Sequence, residues 1–380
     1  MSILIVDDNV TNQMIIKTIL SREGYTDLRM ASSARELYDM LHIDTGCSAE
    51  EAVDLILLDM MMPEIDGLEA CRRIQRDERY GDVPIIFVTA VGDSAKLAEA
   101  LDAGATDYVM KPINRLELMA RIRSALRLKY EKDWHKEQDK RIRYELELAK
   151  QVQRSVLSEP ICNDKIAIEA DYRPSYELAG DYYAWFPIDS KRYGVILLDM
   201  MGHGIASSLV CMFISSVLKD TILRITDPEE VISELNRYIG QLYREEELMN
   251  YYFTAIFVLV DTEEQVIQYV NAGHPPGLTV MKEQEIWMHA SAPAVGLFES
   301  IQVEKGVIPY EPGTTVLLYT DGLTEAMSEP EERREQRMSS LLRSCSEEES
   351  ASELVQRLLP ASEELKRQPD DICLVRIALK

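Results

Sequence analysis

Residues 114–158 contain neither glycine nor proline, so nothing in that stretch stops a helix. Apolar residues recur at helical spacing at both ends: Leu118, Ile122 and Leu126, then Ile142, Leu146, Ala149, Val152 and Val156. The middle, EKDWHKEQDKR, is charged almost throughout, with Trp134 the exception. A lone polar helix of this length is marginal in water unless it pairs. A short dimeric coiled coil with an imperfect heptad is expected, and a solvated spacer is the alternative. On either reading the stretch separates two differently patterned parts, and 380 residues suit two or three domains.

Residues 1–126 alternate strand and helix. SILIVD is an apolar run ending in acids, and Asn9–Arg22 has helical spacing that stops at Gly24. DLILLD is too continuously apolar for a half-exposed strand and reads as a central strand covered on both faces. PIIFVTA and TDYVM are further strands, and Pro63 and Gly67 mark a loop into a helix. Five strands alternating with helices predict an α/β doubly wound five-stranded parallel sheet. From residue 159 the texture changes to runs of strands (KIAIEADY, YGVILLD, TAIFVLVD, QVIQYVNA, TVLLYT, ICLVRIAL), with helical blocks over 203–224, 228–246 and 351–367. That order predicts an α+β layered β-sandwich flanked by helices. The expected domains are therefore 1–126, a helical linker over 127–158, and 159–380.

Net charge is −25, from 41 basic and 66 acidic residues, which disfavours nonspecific binding to nucleic acid or to an anionic membrane. No transmembrane run is expected, and the start goes straight into SILIV without a basic leader, so no signal peptide is expected. The six cysteines (47, 71, 162, 211, 345, 373) show no metal spacing and read as free thiols of a cytoplasmic chain.

The hexapeptide ILLDMM occurs twice, at Ile56–Met61 and at Ile196–Met201. MPEIDG follows the first and GHGIASSL the second, so duplication is not expected. In an open parallel sheet, functional groups gather at the carboxyl ends of the strands. There stand Asp7 and Asp8, Asp59, Thr89, and Lys111 with Pro112. Three clustered carboxylates repel one another unless a cation neutralises them, and an all-oxygen site suits Mg²⁺. An aspartate can also accept a phosphoryl group as an acyl phosphate. VDD at 6–8, LLDMMMPEIDG at 57–67, VTA at 88–90 and KP at 111–112 together resemble a response-regulator receiver domain. The resemblance implies that Asp59 accepts phosphate from a histidine kinase, that Asp7 and Asp8 help Asp59 hold Mg²⁺, and that Thr89 and Lys111 contact the phosphoryl group. Tyr108 stands where that family has a switching aromatic; plain core packing is its other reading.

The second part has acids at strand edges in AGDYYAWF (Asp181), ILLDMMGHG (Asp199), LLYTDGLTEA (Asp321) and PDDICLV (Asp370, Asp371). One such aspartate is usually a turn former. Four suggest a carboxylate nest for hard divalent cations, with glycines allowing close approach. These segments, with ELAKQVQRSVL, FTAIFVLVD, YVNAGHPPGL and APAVGLF, resemble the PPM family of metal-dependent Ser/Thr protein phosphatases, in its bacterial stress-response and sporulation branch. The resemblance implies that Asp199 bridges two Mn²⁺ or Mg²⁺ ions and that Asp181, Asp321, Asp370 and the backbone carbonyl of Met200 complete the shell. It leaves open which of Asp370 and Asp371 is the ligand. Cys373 departs from the family's more usual threonine, which is expected to loosen the Asp370 site slightly. For His203 a general-acid role and helix N-terminal packing both stand; His274 reads as structural. The stretches 328–337 and 346–353 read as solvated loops, or else as a recognition flap.

Together these resemblances imply a two-component response regulator whose output is a phosphoserine/phosphothreonine protein phosphatase controlled through Asp59. The implied partners are a sensor histidine kinase, a phosphorylated anti-sigma-factor antagonist, and a second copy of the chain joined through the receiver and linker helix. A phosphatase-like adaptor without much catalysis is the alternative.

Overall fold

The computed structural model describes residues 1–43, 52–90, 94–242, 251–282, 284–327, 329–345, 349–359, 368 and 370–380. Cys47, the ends of the helical blocks expected over 228–246 and 351–367, and parts of 328–337 and 346–353 lie outside the described residues. The chain divides into two compact units, Met1–Ile142 and Arg143–Lys380.

The first unit runs β1 (Ser2–Val6), α1 (Val10–Arg22), β2 (Asp27–Ala31), α2 (Ala34–Met40), β3 (Leu55–Leu58), α3 (Gly67–Arg76), β4 (Ile85–Thr89), α4 (Ser94–Asp102), β5 (Asp107–Met110) and then α5 (Arg115–Ser155), inside which the division falls. The five strands form one parallel sheet in the order β2-β1-β3-β4-β5. Both faces are covered, which is why DLILLD is apolar without alternation. Ile56 and Leu58 of β3 join one core with Leu37 of α2 and Ala70 and Ile74 of α3. Leu55 and Leu57 join the opposite core with Ile16 and Leu20 of α1 and Leu118 and Ile122 of α5. Asn9 caps α1 by accepting the Thr11 N–H at 2.9 Å.

The 41-residue α5 takes up most of the stretch that lacks glycine and proline. Leu128, Trp134, Ile142, Leu148 and Val152 along it are exposed.

The second unit continues with β6 (Ile161–Cys162), β7 (Ile166–Arg173), β8 (Tyr182–Pro187), β9 (Arg192–Met200), α6 (Ile205–Ile225), α7 (Pro228–Leu242), β10 (Phe253–Asp261), β11 (Val266–Ala272), β12 (Gly277–Val280), β13 (Glu285–Met288), β14 (Gly306–Pro309), β15 (Thr315–Tyr319), α8 (Asp321–Ala326), α9 (Glu331–Ser344), α10 (Ala351–Leu358) and β16 (Ile372–Leu379). One sheet has the order β14-β11-β10-β9-β8 and the other β13-β12-β15-β16-β7-β6. Their inner faces share a core that includes Val195, Leu197, Ile256, Val258, Val316, Leu318 and Val375. Ile196 and Leu198 turn the other way, against Cys211, Ile214 and Leu218 of α6 and Leu235 of α7. On the far side, Met338 and Leu342 of α9 and Leu354 and Val355 of α10 pack on Leu317 and Leu374. The result is the expected layered sandwich flanked by helices.

Two expectations change. Residues 331–337 are not loop: they open α9, whose apolar Met338, Leu341 and Leu342 at helical spacing bury one face despite the charged start. And α6 is long and apolar enough, by length and composition, to cross a membrane. Here its buried face packs on the sheet that contains β9. The two ILLDMM copies lie in unlike settings, β3 between parallel neighbours and β9 between antiparallel ones.

Candidate functional site

Parallel pairing in the first unit brings the carboxyl ends of β1, β3, β4 and β5 to one edge, and with them Asp7, Asp8, Asp59, Thr89 and Lys111. Asp7, Asp8 and Asp59 each offer an oxygen, and these atoms lie within 4.8 Å of one another. Asp7 and Asp59 are buried and Asp8 is exposed. Lys111 bridges the two buried acids, its Nζ donating to Asp7 Oδ2 at 2.8 Å and to Asp59 Oδ2 at 2.7 Å. Asp7 is held by the Asn9 N–H at 2.9 Å and Asn12 Nδ2 at 3.1 Å, both on Oδ1. Burial pushes the Asp59 carboxyl above its usual range, and Lys111 opposes that shift. Burial pulls the Lys111 ammonium down, but its bonds to Asp59 and Asp7 outweigh this and raise it.

Thr89 is fully buried, and its carbonyl accepts the Lys111 N–H at 2.8 Å across a strand end that leads into the cis Lys111–Pro112 bond. Gly67 is required where it stands, because a Cβ there would come within 2.2 Å of the Asp59 carbonyl. Tyr108 is half-buried against the core, with the Arg121 guanidinium 5.3 Å from its ring centroid.

Antiparallel pairing does the equivalent work in the second unit. Asp181 immediately precedes β8, and Asp199 is the penultimate residue of β9; the register sets Tyr182 opposite Leu198, so the two acids face each other. In the other sheet Asp321 follows β15 and Asp370 and Asp371 precede β16, with Tyr319 opposite Leu374. All five acids therefore reach the same end of the sandwich. Asp199 lies within hydrogen-bonding reach of Asp321 and Asp181, and its carboxyl is pushed up to about 8 by burial and then by Asp321 and Asp370. Asp181 is raised well above its usual range by burial and then by Asp199 and Asp371. Asp181 Oδ2 is buried with no hydrogen-bond partner among the described residues. Asp370 is half-buried and raised, first by burial.

Asp370 and Asp371 divide the work. Both Asp371 oxygens are already taken: Oδ1 accepts the Ser175 N–H at 2.7 Å and the Ser175 hydroxyl at 2.8 Å, and Oδ2 accepts the Gly180 N–H at 2.7 Å. Asp371 thereby fixes the loop that delivers Asp181. Asp370 spends one oxygen on the Asp371 N–H at 2.8 Å.

Sequence reasoning missed three residues around this cluster. Thr320 is fully buried; its hydroxyl accepts the Cys373 N–H at 2.9 Å, which ties β15 to β16 beside Asp321. Gln153, near the end of α5, pins Ala179 two residues before Asp181. Ser175 is the third, and only its partnership with Asp371 marks it. The signal for Gln153 was a polar residue at helical spacing from Ala149 and Val156, four after the first and three before the second.

Gly180 and Gly322 leave room: a Cβ at Gly180 would be 3.3 Å from the Met200 carbonyl, and one at Gly322 2.0 Å from the Asp371 carbonyl. The Cys373 side chain packs in the core between the sheets, and burial pushes its thiol up. His203 is exposed and stacks on Tyr176, with ring centroids 4.6 Å apart. His274 is buried, its Nδ1 2.8 Å from the Thr254 hydroxyl, and burial pulls the imidazole down to about 3.

The carboxylates fit divalent cations on grounds internal to the site. Five acids stand together, Asp181 and Asp199 are raised first by burial and then by neighbouring carboxylates, and Asp181 Oδ2 has no hydrogen-bond partner among the described residues. Only a positive charge relieves such an arrangement while keeping the acids ionised.

The parallel sheet and the two-sheet sandwich, each with an acid-bearing edge, define a receiver-type unit followed by a PP2C-type sandwich. The family model for the response regulator receiver domain matches residues 3–123. The model for Stage II sporulation protein E (SpoIIE) matches residues 189–380, half of the chain, and the chain belongs to that family. Over 182 residues it is 40% identical to the phosphoserine phosphatase RsbP of Bacillus subtilis, which covers 48% of this chain and 45% of that protein. The chain thus spans a little under half the length of that relative. Over 126 residues it is 35% identical to a chemotaxis protein CheY homolog of Campylobacter jejuni, covering 33% of this chain and 92% of that one. Among solved structures, the SiaA-PP2C domain of Pseudomonas aeruginosa superposes with a TM-score of 0.52 at 18% identity, over 64% of this chain and 98% of that domain. That likeness shows the sandwich fold.

Proposed function

We propose that the chain is a two-component response regulator whose output is a metal-dependent phosphoserine/phosphothreonine protein phosphatase of the cytoplasm. The observation that carries the reading is the convergence of Asp181, Asp199, Asp321 and Asp370 on one end of the sandwich, with Asp181 Oδ2 unpartnered. Mn²⁺ or Mg²⁺ bound there would supply an activated water and neutralise the phosphate. Asp199, next to Asp321 and Asp181, would be shared by two ions, and Asp181, Asp321, Asp370 and the Met200 carbonyl would complete their shells. Asp371, Thr320 and Gln153 hold the ligand-bearing loops in place. With water as nucleophile the protein needs no cysteine, and the thiols at 211 and 373 are buried and raised.

At the receiver edge, Asp59 would take the phosphoryl group from a sensor histidine kinase, with Mg²⁺ on Asp7, Asp8 and Asp59. Lys111 already spans Asp7 and Asp59, so its ammonium is placed to follow the incoming negative charge, with Thr89 at the neighbouring strand end. Phosphorylation would bias a two-state arrangement read out through α5, whose exposed apolar residues suit pairing with a second copy. The substrate class follows from the likeness to RsbP: a serine- or threonine-phosphorylated protein, with an anti-sigma-factor antagonist as the specific proposal.

The test is release of phosphate from a phosphoseryl peptide by the full chain with Mn²⁺. Turnover should be metal-dependent and fall at least about a thousandfold in Asp199→Asn. Undiminished turnover in that variant would remove the metal assignment.

A further inference from the structure

A second cavity, of about 330 Å³, lies in the sandwich unit away from the aspartates. The strands β15 and β16 line it with Thr315, Ala378 and Leu379, and α9 lines it with Leu342 and Arg343. The same two strands carry Asp321 and Asp370 at their other ends. The register sets Thr315 opposite Ala378 at the cavity and Tyr319 opposite Leu374 beside the acids. Roughly five residues of strand, or about 17 Å, separate the two places.

The chemistry of the cavity is opposite to that of the acid cluster. In a chain of net charge −25, Lys282, Arg343, Arg376 and Lys380 all line it, and no acid does among the described residues. Arg376 is only 5% exposed, and its guanidinium is held by Glu169 Oε1 at 3.1 Å and the Glu349 carbonyl at 2.6 Å. Arg343 bonds Glu285 at 3.2 Å, so these two cations are partly balanced from outside the cavity. The Lys380 ammonium instead donates to the neutral Asn163 carbonyl at 2.9 Å, which fixes it without cancelling its charge. Val280, Leu342 and Leu379 supply an apolar wall beside the cations. The volume suits one ring system carrying one charged group. Guanidinium and ammonium groups together with a nearby apolar wall select a phosphate on an apolar or aromatic body.

We propose that this cavity binds a small organic phosphate of about mononucleotide size, with the phosphate against Lys282, Arg343 and Lys380 and the ring body against Val280, Leu342 and Leu379. The proposal is binding alone: no aspartate or glutamate lines the cavity among the described residues, and no hydrolysis is assigned to it.

The probe is 1-naphthyl phosphate, titrated by fluorescence into the full chain carrying Asp199→Asn in excess EDTA, where phosphate-ester hydrolysis and ion binding at the acid cluster are both switched off. One saturable site is expected, displaced by AMP. Charge reversal in the pair Lys282→Glu, Arg343→Glu should weaken it at least about tenfold. Lys282 is exposed, so Lys282→Glu alone keeps the fold and should still weaken binding severalfold. Absence of saturable binding at millimolar probe, or equal affinity in the single and paired variants, overturns the proposal. Because no turnover is read, either outcome is independent of the phosphatase reading.

Discussion

Gln153 and Ala179 exchange two hydrogen bonds: the Gln153 Nε2 donates to the Ala179 carbonyl at 2.7 Å, and the Ala179 N–H donates to Gln153 Oε1 at 3.1 Å. Gln153 is 4% exposed, so neither bond is shared with bulk water. The last turns of α5 are in this way stitched to the loop that ends in Gly180 and Asp181. A glutamine in an otherwise apolar helix stripe is costly to bury unless both ends of its amide are used, and here both are.

Gln153→Ala should therefore expose the cost of two unpaired backbone groups, about 1–3 kcal/mol for each that stays dry. Hydrogen exchange at the Ala179 amide reports it directly, and exchange as slow as in the wild type would show that the pin is dispensable. Gln153→Glu keeps the acceptor and loses the donor, so it should keep Ala179 N–H protection while still destabilising the unit.

Asp371 accepts N–H donors on both oxygens, so Asn at this position must point its amide NH₂ at another donor whichever way it turns. Asp371→Asn is expected to loosen the Asp181 loop and raise the Mn²⁺ concentration needed for half-maximal turnover by about 10–100-fold. At saturating Mn²⁺ much of the rate should return, whereas Asp199→Asn should not be rescued. A titration midpoint that stays where the wild type has it would detach Asp371 from metal positioning.

At Gly322 a Cβ would stand 2.0 Å from the Asp371 carbonyl, backbone that cannot yield without parting β15 from β16. Gly322→Ala should cost about 1–3 kcal/mol as overpacking and reduce turnover along with stability. Denaturant unfolding of the variant checks the first part; a midpoint equal to the wild type's would show that the turn has slack.

Asp59 is the one carboxylate of the receiver edge that meets both Lys111 and the Met61 N–H, the latter at 3.3 Å. Incubation with acetyl phosphate and Mg²⁺ should add one phosphoryl group by intact-mass measurement, and Asp59→Asn should add none. Beryllofluoride should change the phosphatase rate or the mass of the assembly in the wild type alone. Labelling that persists in Asp59→Asn would move the acceptor elsewhere.

His274 gives a pH dependence with a defined sign. Its folded value, about 3, lies below the ordinary 6.5 because the buried ring disfavours charge. Between those two values the unfolded chain binds a proton that the folded chain refuses, so stability falls as the pH drops from 6.5 toward 3. The slope from this group is at most about 1.4 kcal/mol per pH unit. His274→Asn should flatten the profile relative to the wild type across that window, and parallel profiles would sink the assignment. Above pH 6.5 the two should run parallel.

Much of this was written in periodicity. SILIV, DLILLD and PIIFVTA are apolar without alternation because helices cover both faces of their sheet, and that pattern needs no coordinates to read. The aspartates closing those runs, and the acids of AGDYY, ILLDMM, YTDGL and PDDIC, were visible as strand-end carboxylates. α9 was not visible as an element, because EERREQR carries no apolar residue; its helix is fixed by Met338, Leu341 and Leu342 further along. Gln153, Ser175 and Thr320 escaped for a different reason: each matters through a partner more than 20 residues away, and no local pattern records that pairing.

The sequence by itself determined the class of each half, the long helix between their cores and the residue types at the strand ends, because local sterics and burial act over a few residues at a time. It also made the two ILLDMM segments look alike, since a buried strand closing on an aspartate has the same requirements in either sheet. Only the tertiary structure decided what each aspartate meets. Parallel neighbours set Asp59 beside Asp7 and Lys111, where a cation of the chain already balances it. Antiparallel neighbours set Asp199 among Asp181, Asp321 and Asp370, where no lysine or arginine among the described residues is hydrogen-bonded to these acids and burial drives the Asp199 carboxyl up to about 8. The physical reason is that charge is balanced across space, between residues brought together from distant strands, and strand order is a property of the folded sheet.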